Sequence, residues 1–419
     1  MKFIGLSNNS VRNRKFPSGW EYVKLGALSE LTGGDGAPQD PDAFKDGTIP
    51  FVRMKDVGRY RFTLNLIETE DRLNKAAVEK YRMRIFPKGT ILMPRSGSVY
   101  TNHRARLAVP AAVVGHLAAI LPRDDVFDSQ FVTFALKLID MRQWMTKTTG
   151  LDSISLKDLS AVIIPLPPLP EQKRIAAILN EQMAAVERAR VASEVQLGSA
   201  KALPAAYFRA VFNSPEAKKW PSKFLGDICT RISNGTTKTQ NNNKFGLPVT
   251  RIETISNGHI DMNRVGWVEL IPDEIEKYKL EDGDILFSHI NSVERLGNCS
   301  IYNQQEIPAL IHGMNLLRIQ VSRLLVDPFY LLHFLRTENA KNFYTEQARR
   351  AIGQASLNTK DLGKLQVPLP SLSEQGKMER NLNGQILRVT TTIKIVSDQL
   401  DAINQLPAKI LQQAFNGEM

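Results

Sequence analysis

An α+β chain, two similar mixed α/β domains each leading into a long helix, is what this sequence of 419 residues predicts. Three observations carry that expectation: a segment repeated once at long range, strand and turn signals shared by the two halves, and a coiled-coil spacing after each copy. The repeat sets GLDSISLKDLSAVIIPLPPLPEQKR (Gly150 to Arg174) against GQASLNTKDLGKLQVPLPSLSEQGK (Gly353 to Lys377) without an insertion. Gly150/Gly353, Lys157/Lys360, Asp158/Asp361, Pro165/Pro368, Glu171/Glu374 and Gln172/Gln375 coincide. Both copies continue, in the same register, into LPAAYFRAVFN (Leu203–Asn213) and LPAKILQQAFN (Leu406–Asn416). So long a period is outside the roughly 20–50 residues of solenoid repeats. It marks a duplicated domain, which suits a task with two halves.

The halves correspond element by element. Each opens with a tryptophan and a short strand-like stretch, WEYVKLGALSEL (Trp20–Leu31) and WPSKFLGDICTRI (Trp220–Ile232). A Gly-rich polar loop comes next, GDGAPQD (Gly34–Asp40) against GTTKTQN (Gly235–Asn241). Then comes an apolar run, IPFVRMKDV (Ile49–Val57) against LPVTRIETI (Leu247–Ile255), which sets Arg53 opposite Arg251. KGTILMPRSGS (Lys88–Ser98) and DGDILFSHINS (Asp282–Ser292) read as a Gly turn, a buried strand and a polar loop. DSQFVTFAL (Asp128–Leu136) and DPFYLLHFL (Asp327–Leu335) read as helices.

The Lys157-Asp158 segment and its copy predict a short helix, since Ser155 and Asn358 each stand three residues before an Asp, a capping-box spacing. The prolines of PLPPLP and PLPSLS then hold the chain extended. Pro170 and Ser373 suit helix starts, with Glu171 and Glu374 in the favourable first turn. In the second copy Leu382, Ile386, Val389, Ile393, Val396, Leu400 and Ile403 alternate spacings of four and three, a coiled-coil seam. The first copy carries Leu179, Met183, Val186, Arg190, Ser193, Leu197 and Ala200, a weaker seam. Two such helices would most simply bury their stripes on each other. A helix from Glu171 to about Ala200 would be about 45 Å long.

Composition bounds the function. The apolar share of 42% and charged share of 23% are those of a globular protein. The longest apolar stretch, Leu107–Leu121, is broken by Pro110, Gly115 and His116 and falls short of the roughly 20 residues of a spanning helix. The first residues carry Arg12, Arg14 and Lys15 without the apolar run of a secretory signal. Cys229 and Cys299 read as free thiols, fitting a reducing cytoplasm. The net charge of +11 points to a polyanion, and nothing in the sequence supports a membrane partner.

Catalytic parts are missing. No GxGxxG after a strand, GxxxxGK[ST], HExxH, GxSxG or Cys-x-x-Cys occurs, and the six histidines lack metal-ligand spacing. Pro272-Asp273 followed by Glu276-Lys277 has the wrong spacing for a nuclease. No residue is therefore expected to be catalytic or to bind metal. What differs between the copies is the polar loops: Asp35–Asp46, Arg59–Arg61 and Arg95–Arg106 against Thr236–Lys244, Asn257–Arg264 and His289–Arg295. Their side chains are those that bond base edges and phosphates. The candidates for DNA contact are Gln39, Arg53, Arg95, Ser98, Tyr100 and Arg104 in the first half, and Lys238, Gln240, Asn242, Arg251, His289 and Asn291 in the second.

A variable domain ending in PLPPLPEQKRIAAIL, followed by a long helix and duplicated within one chain, resembles the specificity subunit of Type I restriction–modification systems. The resemblance covers essentially the whole chain. It implies a first target-recognition domain over 1–170, a central helical spacer over 171–213, a second target-recognition domain over 214–372 and a C-terminal spacer over 373–419. It further implies an antiparallel coiled coil of the two helices and a pseudo-twofold molecule. Such a subunit reads a bipartite double-stranded DNA site, binds two methyltransferase subunits and, in the full assembly, restriction subunits. It holds no cofactor itself, the S-adenosylmethionine, ATP and Mg belonging to its partners. The copies differ at Gly376, which stands where the first has Lys173. Two alternatives remain: a related system with a fused methyltransferase–nuclease partner, and an RNA-binding or scaffold protein, against which stands an aromatic share of 7% without clusters.

Overall fold

The computed structural model describes residues 18–60, 63–96, 99–145, 153–241, 243–351 and 354–419. Gly150, Gly353, Arg61, Ser98 and Asn242 lie outside the described residues, as does the side chain of Tyr100. The chain divides into two compact units, 1–195 with 397–419, and 196–396.

In the first unit, short apolar segments bounded by turns form a five-stranded sheet. Its order is Leu31–Gly33, Leu117–Ile120, Ile91–Pro94, Ala105–Leu107 and Asn65–Leu66, antiparallel but for the last pair. A four-stranded sheet carries Asp71–Leu73, Ile49–Val52, Ala111–Val113 and Ile85–Phe86. The strand Glu21–Lys24 closes the unit by pairing antiparallel with Ile163–Leu166, the first strand of the repeated segment. The helix Ser129–Leu138 is N-capped by Asp128 and buried along most of its length.

The second unit rebuilds the main sheet in the same order: Cys229–Asn234, Leu317–Val321, Ile285–Phe287 and Cys299–Ile301. Ser222–Phe224 pairs with Gln366–Pro368 as its counterpart does in the first unit, and Asp327 caps the helix Pro328–Leu335. The expected Gly turns are present, with Gly89 at φ +91° and Gly283 at φ +88°, where glycine alone is unstrained. The short helices Leu156–Ser160 and Thr359–Gly363 are capped by Ser155 and Asn358, whose side chains accept from Asp158 N and Asp361 N at 3.0 and 2.8 Å.

The repeated Glu-Gln pair explains itself in both units. Gln172 is buried; its Oε1 accepts from Asp128 N at 2.8 Å and its Nε2 donates to Pro167 O at 2.8 Å. Gln375 does the same with Asp327 N at 2.9 Å and Pro370 O at 2.9 Å. One amide thus fastens the capping turn of the domain helix to the proline turn that starts the long helix.

The long helices run Leu169–Phe212 and Leu372–Phe415, 44 residues each. Both start one residue before the expected position. Ser371, not Ser373, is the cap of the second: its N donates to the Glu374 carboxylate at 3.0 Å and Glu374 N donates back to its hydroxyl at 3.4 Å. The first helix runs past Ala200 through Pro204 to Phe212, longer than the stretch from Glu171 to about Ala200 and ending near the expected spacer boundary at 213. An interior proline costs about 3 kcal/mol, but beyond it Phe208 and Phe212 are buried against His333, Tyr330 and Phe334, with ring centroids 5.5 to 5.7 Å apart. Pro407 is passed the same way, with Phe415 buried 5.2 Å from Phe131 and 5.9 Å from Trp20. Each buried phenylalanine returns about 1.5–3 kcal/mol.

The helices pack together antiparallel within each unit. Ile175, Leu179 and Met183 near the start of one share a core with Leu411, Ala414 and Phe415 near the end of the other. In the second unit Phe208 and Phe212 share a core with Leu382. Leu382, Val389, Val396 and Ile403 of the strong seam are buried, as are Leu179, Met183, Val186, Ser193 and Ala200 of the weak one. Arg190 stays half-buried, bonded to Glu187 and Glu194 on its own helix.

Candidate nucleic-acid interface

The first unit carries a cleft of about 770 Å³ at one end of its main sheet. The strand Ile91–Pro94 delivers Arg95 and Ser96 to it, and the turn after Ala111–Val113 delivers Val114, Gly115 and His116. The loop after Leu31–Gly33 adds Ala37 and Gln39, the strand Ile49–Val52 leads into Arg53, and Ser153 and Ser155 come from the repeated segment. Here the backbones press together: a Cβ on Gly34 would lie 2.2 Å from Val113 O. Gly235 matches it in the second unit, 2.2 Å from His312 O.

Gln39, Arg53 and Arg95 therefore meet in one place. Gln39 is exposed and its Nε2 donates to Ala37 O at 3.0 Å. The Arg53 guanidinium is tethered: Nε bonds the Asp71 carboxylate, and the group lies over Phe44 and Phe51, 5.5 and 5.2 Å from their centroids. Arg95 is half-buried and held by its backbone, whose N donates to His116 O at 3.0 Å and whose O accepts from Ile154 N at 2.8 Å. Ser96 and His116, missed in the sequence, lie 2.9 Å apart through Oγ and Nδ1. Their sequence signs were the polar loop Arg95–Arg106, which contains Ser96, and the polar break that Gly115-His116 makes in an apolar run.

Arg104 departs from expectation. It is fully buried, its Nη1 donates to His103 O at 2.6 Å, and its Nε and Nη2 have no partner. Burial lowers its pKa to about 9. It follows a polar loop in sequence but enters the strand Ala105–Leu107, so it points into the unit and cannot touch DNA as it stands.

In the second unit Arg251 holds the position of Arg53. Each starts a helical turn, their N–H groups bonded at 2.8 Å to Asp56 and Thr254, three residues on. Arg251 Nε donates to Gln240 Oε1 at 2.6 Å, which ties these two candidates together. Lys238 is exposed and pairs with Glu274 at 3.0 Å. Asn291 bonds Ser288 Oγ at 3.1 Å and Ser292 N at 2.9 Å. His289 is the structural counterpart of Arg95, because Leu357 N donates to its O at 2.8 Å just as Ile154 N does to Arg95 O. Its imidazole is largely buried, with an Nδ1 that has no partner among the described residues and a pKa lowered by that burial, so it presents less to a duplex than an exposed loop histidine would. Among the described residues no cluster of three His, Cys, Asp or Glu could hold a metal, and no helix is long and apolar enough to cross a membrane.

A family model described as the Type I restriction modification DNA specificity domain matches residues 17–193 and again 217–405. The chain is 25% identical to the type I restriction enzyme EcoKI specificity subunit of Escherichia coli over 424 residues, 97% of this chain and 90% of that one. It is 40% identical over 197 residues to the putative MjaX specificity subunit of Methanocaldococcus jannaschii, a match spanning 47% of this chain and 45% of the relative. Among solved structures, a chain of a type I R-M system superposes with a TM-score of 0.73 at 19% identity, covering 97% of this chain and 100% of that one. The HsdS subunit of Thermoanaerobacter tengcongensis gives 0.57 at 19% identity, covering 97% and 99%.

Proposed function

The chain belongs to the Type I restriction modification DNA specificity family, and from that membership we propose that it is the non-catalytic reader of a bipartite double-stranded DNA site, one half-site to each unit. The observation that carries this is one frame built twice, with the same sheet order, the same buried glutamine joint and different side chains at matched cleft positions. The formal charge of +11 supplies the attraction to phosphate that does not depend on sequence. The loops supply the difference between half-sites.

The two long helices set the gap between half-sites. The chain recruits two methyltransferase subunits, which bind S-adenosylmethionine, and ATP- and Mg-dependent restriction subunits. The assembly works in the cytoplasm, and no cofactor is assigned to this chain.

The test exchanges residues 214–372 for those of another family member and maps methylated sites in the host genome. One half-site should change and the other persist. If both change, or neither does, one-unit-one-half-site reading is wrong.

A further inference from the structure

We propose that the cleft of the first unit reads guanine, and that Arg95 is the residue that reads it. The inference rests on the DNA-reading role proposed above and adds the base and the atom group that recognises it. Among the described residues no carboxylate lines the cleft, while two guanidinium groups do, so it favours a partner rich in acceptors. The two groups are unequal. Arg53 is bonded to Asp71 and stacked on Phe44 and Phe51, and so contributes a fixed positive potential. Arg95 has its backbone pinned on both sides, and no described side chain pairs with its guanidinium.

A guanidinium in a concave site, with no partner among the described side chains, presents two parallel N–H donors. In the major groove guanine alone offers two adjacent acceptors, O6 and N7, that match this fork. Gln39 lines the same cleft with its Nε2 already bonded to Ala37 O, which leaves Oε1 to accept from the amino group of a neighbouring cytosine or adenine. At the matched position of the second unit stands buried His289, so that unit lacks this reader.

The test uses the full-length chain assembled with its methyltransferase subunits, selected against a pool of randomised duplexes, as the natural protein and as Arg95→Lys and Arg95→Ala. Arg95→Lys keeps the charge and loses the fork. The natural assembly should select at least one guanine in the half-site assigned to the first unit. Both variants should lose about tenfold or more preference at that one base pair, with the other half-site unchanged. A first half-site without guanine overturns the inference. So does a uniform loss of affinity over all sequences in Arg95→Ala that Arg95→Lys restores, with a shallower salt dependence, because that is a phosphate contact. Should Arg95→Ala not assemble, Arg95→Lys alone decides. If the natural assembly selects no motif at all, the DNA-reading role itself fails, an outcome distinct from an unchanged motif in the variants.

Discussion

Replacing Gln172 by alanine should loosen the joint between the first unit's domain and its long helix by an amount the geometry fixes. The side chain is 1% exposed and makes one bond with each end of its amide, to Asp128 N and to Pro167 O, both at 2.8 Å. Alanine leaves the part-buried Asp128 N–H and the buried Pro167 carbonyl without partners, at up to about 1–3 kcal/mol each. The expected loss is therefore about 2–6 kcal/mol. Asp128 is also the cap of the helix Ser129–Leu138, so the opening should show at that helix first. Hydrogen exchange read residue by residue is the fitting assay, because a chain of two units has no single unfolding equilibrium. The Asp128 amide should lose most of its protection in Gln172→Ala. Glu171→Ala is the internal control: its carboxylate bonds Arg174 at 2.7 Å on the surface, and such a pair is worth no more than about 0.5 kcal/mol. Protection of Asp128 unchanged in Gln172→Ala, or lowered equally by both substitutions, would refute the reasoning.

Removing four residues within 176–198 shortens the central helix by about 6 Å and rotates its downstream part by about 40°; the tolerated gap between half-sites should shift in a methylation-site survey, and an unchanged gap would sink the role of the helices as a ruler. Leu382→Ala, in the buried seam, should cost about 2–5 kcal/mol of local stability, read as lost amide protection in the helix around it, whereas Ile395→Ala on the exposed face should stay within about 0.5 kcal/mol. His312 and His333 are held neutral by burial, each with its pKa lowered to about 4. The unfolded chain takes up their protons below about 6.5 and the fold resists doing so, so the second unit should be fully stable above that pH. It should then lose up to about 1.4 kcal/mol per pH unit for each histidine as the pH falls towards 4. Urea midpoints between pH 7 and 4.5 should flatten in His333→Asn, and an unaltered slope would refute the assignment.

Much of the fold was legible because the repeat reports on backbone geometry. The glycine turns before Ile91–Pro94 and Ile285–Phe287, the caps at Ser155 and Asn358, and the 4-3 seam are all local signals, and the structure contains each. Less legible was where the helices end. Leu203-Pro204 reads as a break locally, and only the burial of Phe208 and Phe212 among residues over 100 positions away carries the helix through it. The candidate site divided in the same way. Polar residues in a loop are visible in sequence, but whether a side chain leaves or enters the domain depends on strand register. Arg104 stands in the same polar loop sequence as Arg95 and is the same residue type, yet it is fully buried. Ser96 and His116 stayed hidden because they are brought together only across neighbouring strands.

The two copies have kept and changed different things for a reason that stability alone supplies. A buried amide such as Gln172 or Gln375 satisfies two backbone groups at once, and no other side chain does so at that length, so the position tolerates no exchange without cost of about 2 kcal/mol or more. A half-exposed cleft position carries no such burden; exchanging an arginine for another polar residue there is worth about 0.5 kcal/mol either way. Duplication therefore yields two frames locked by their joints and two sets of cleft residues that fold stability leaves free. The free set includes position 95, where one unit keeps a half-exposed guanidinium at a cleft while its counterpart carries a largely buried histidine. A substitution at Arg95 should accordingly be felt in the base chosen and not in the fold.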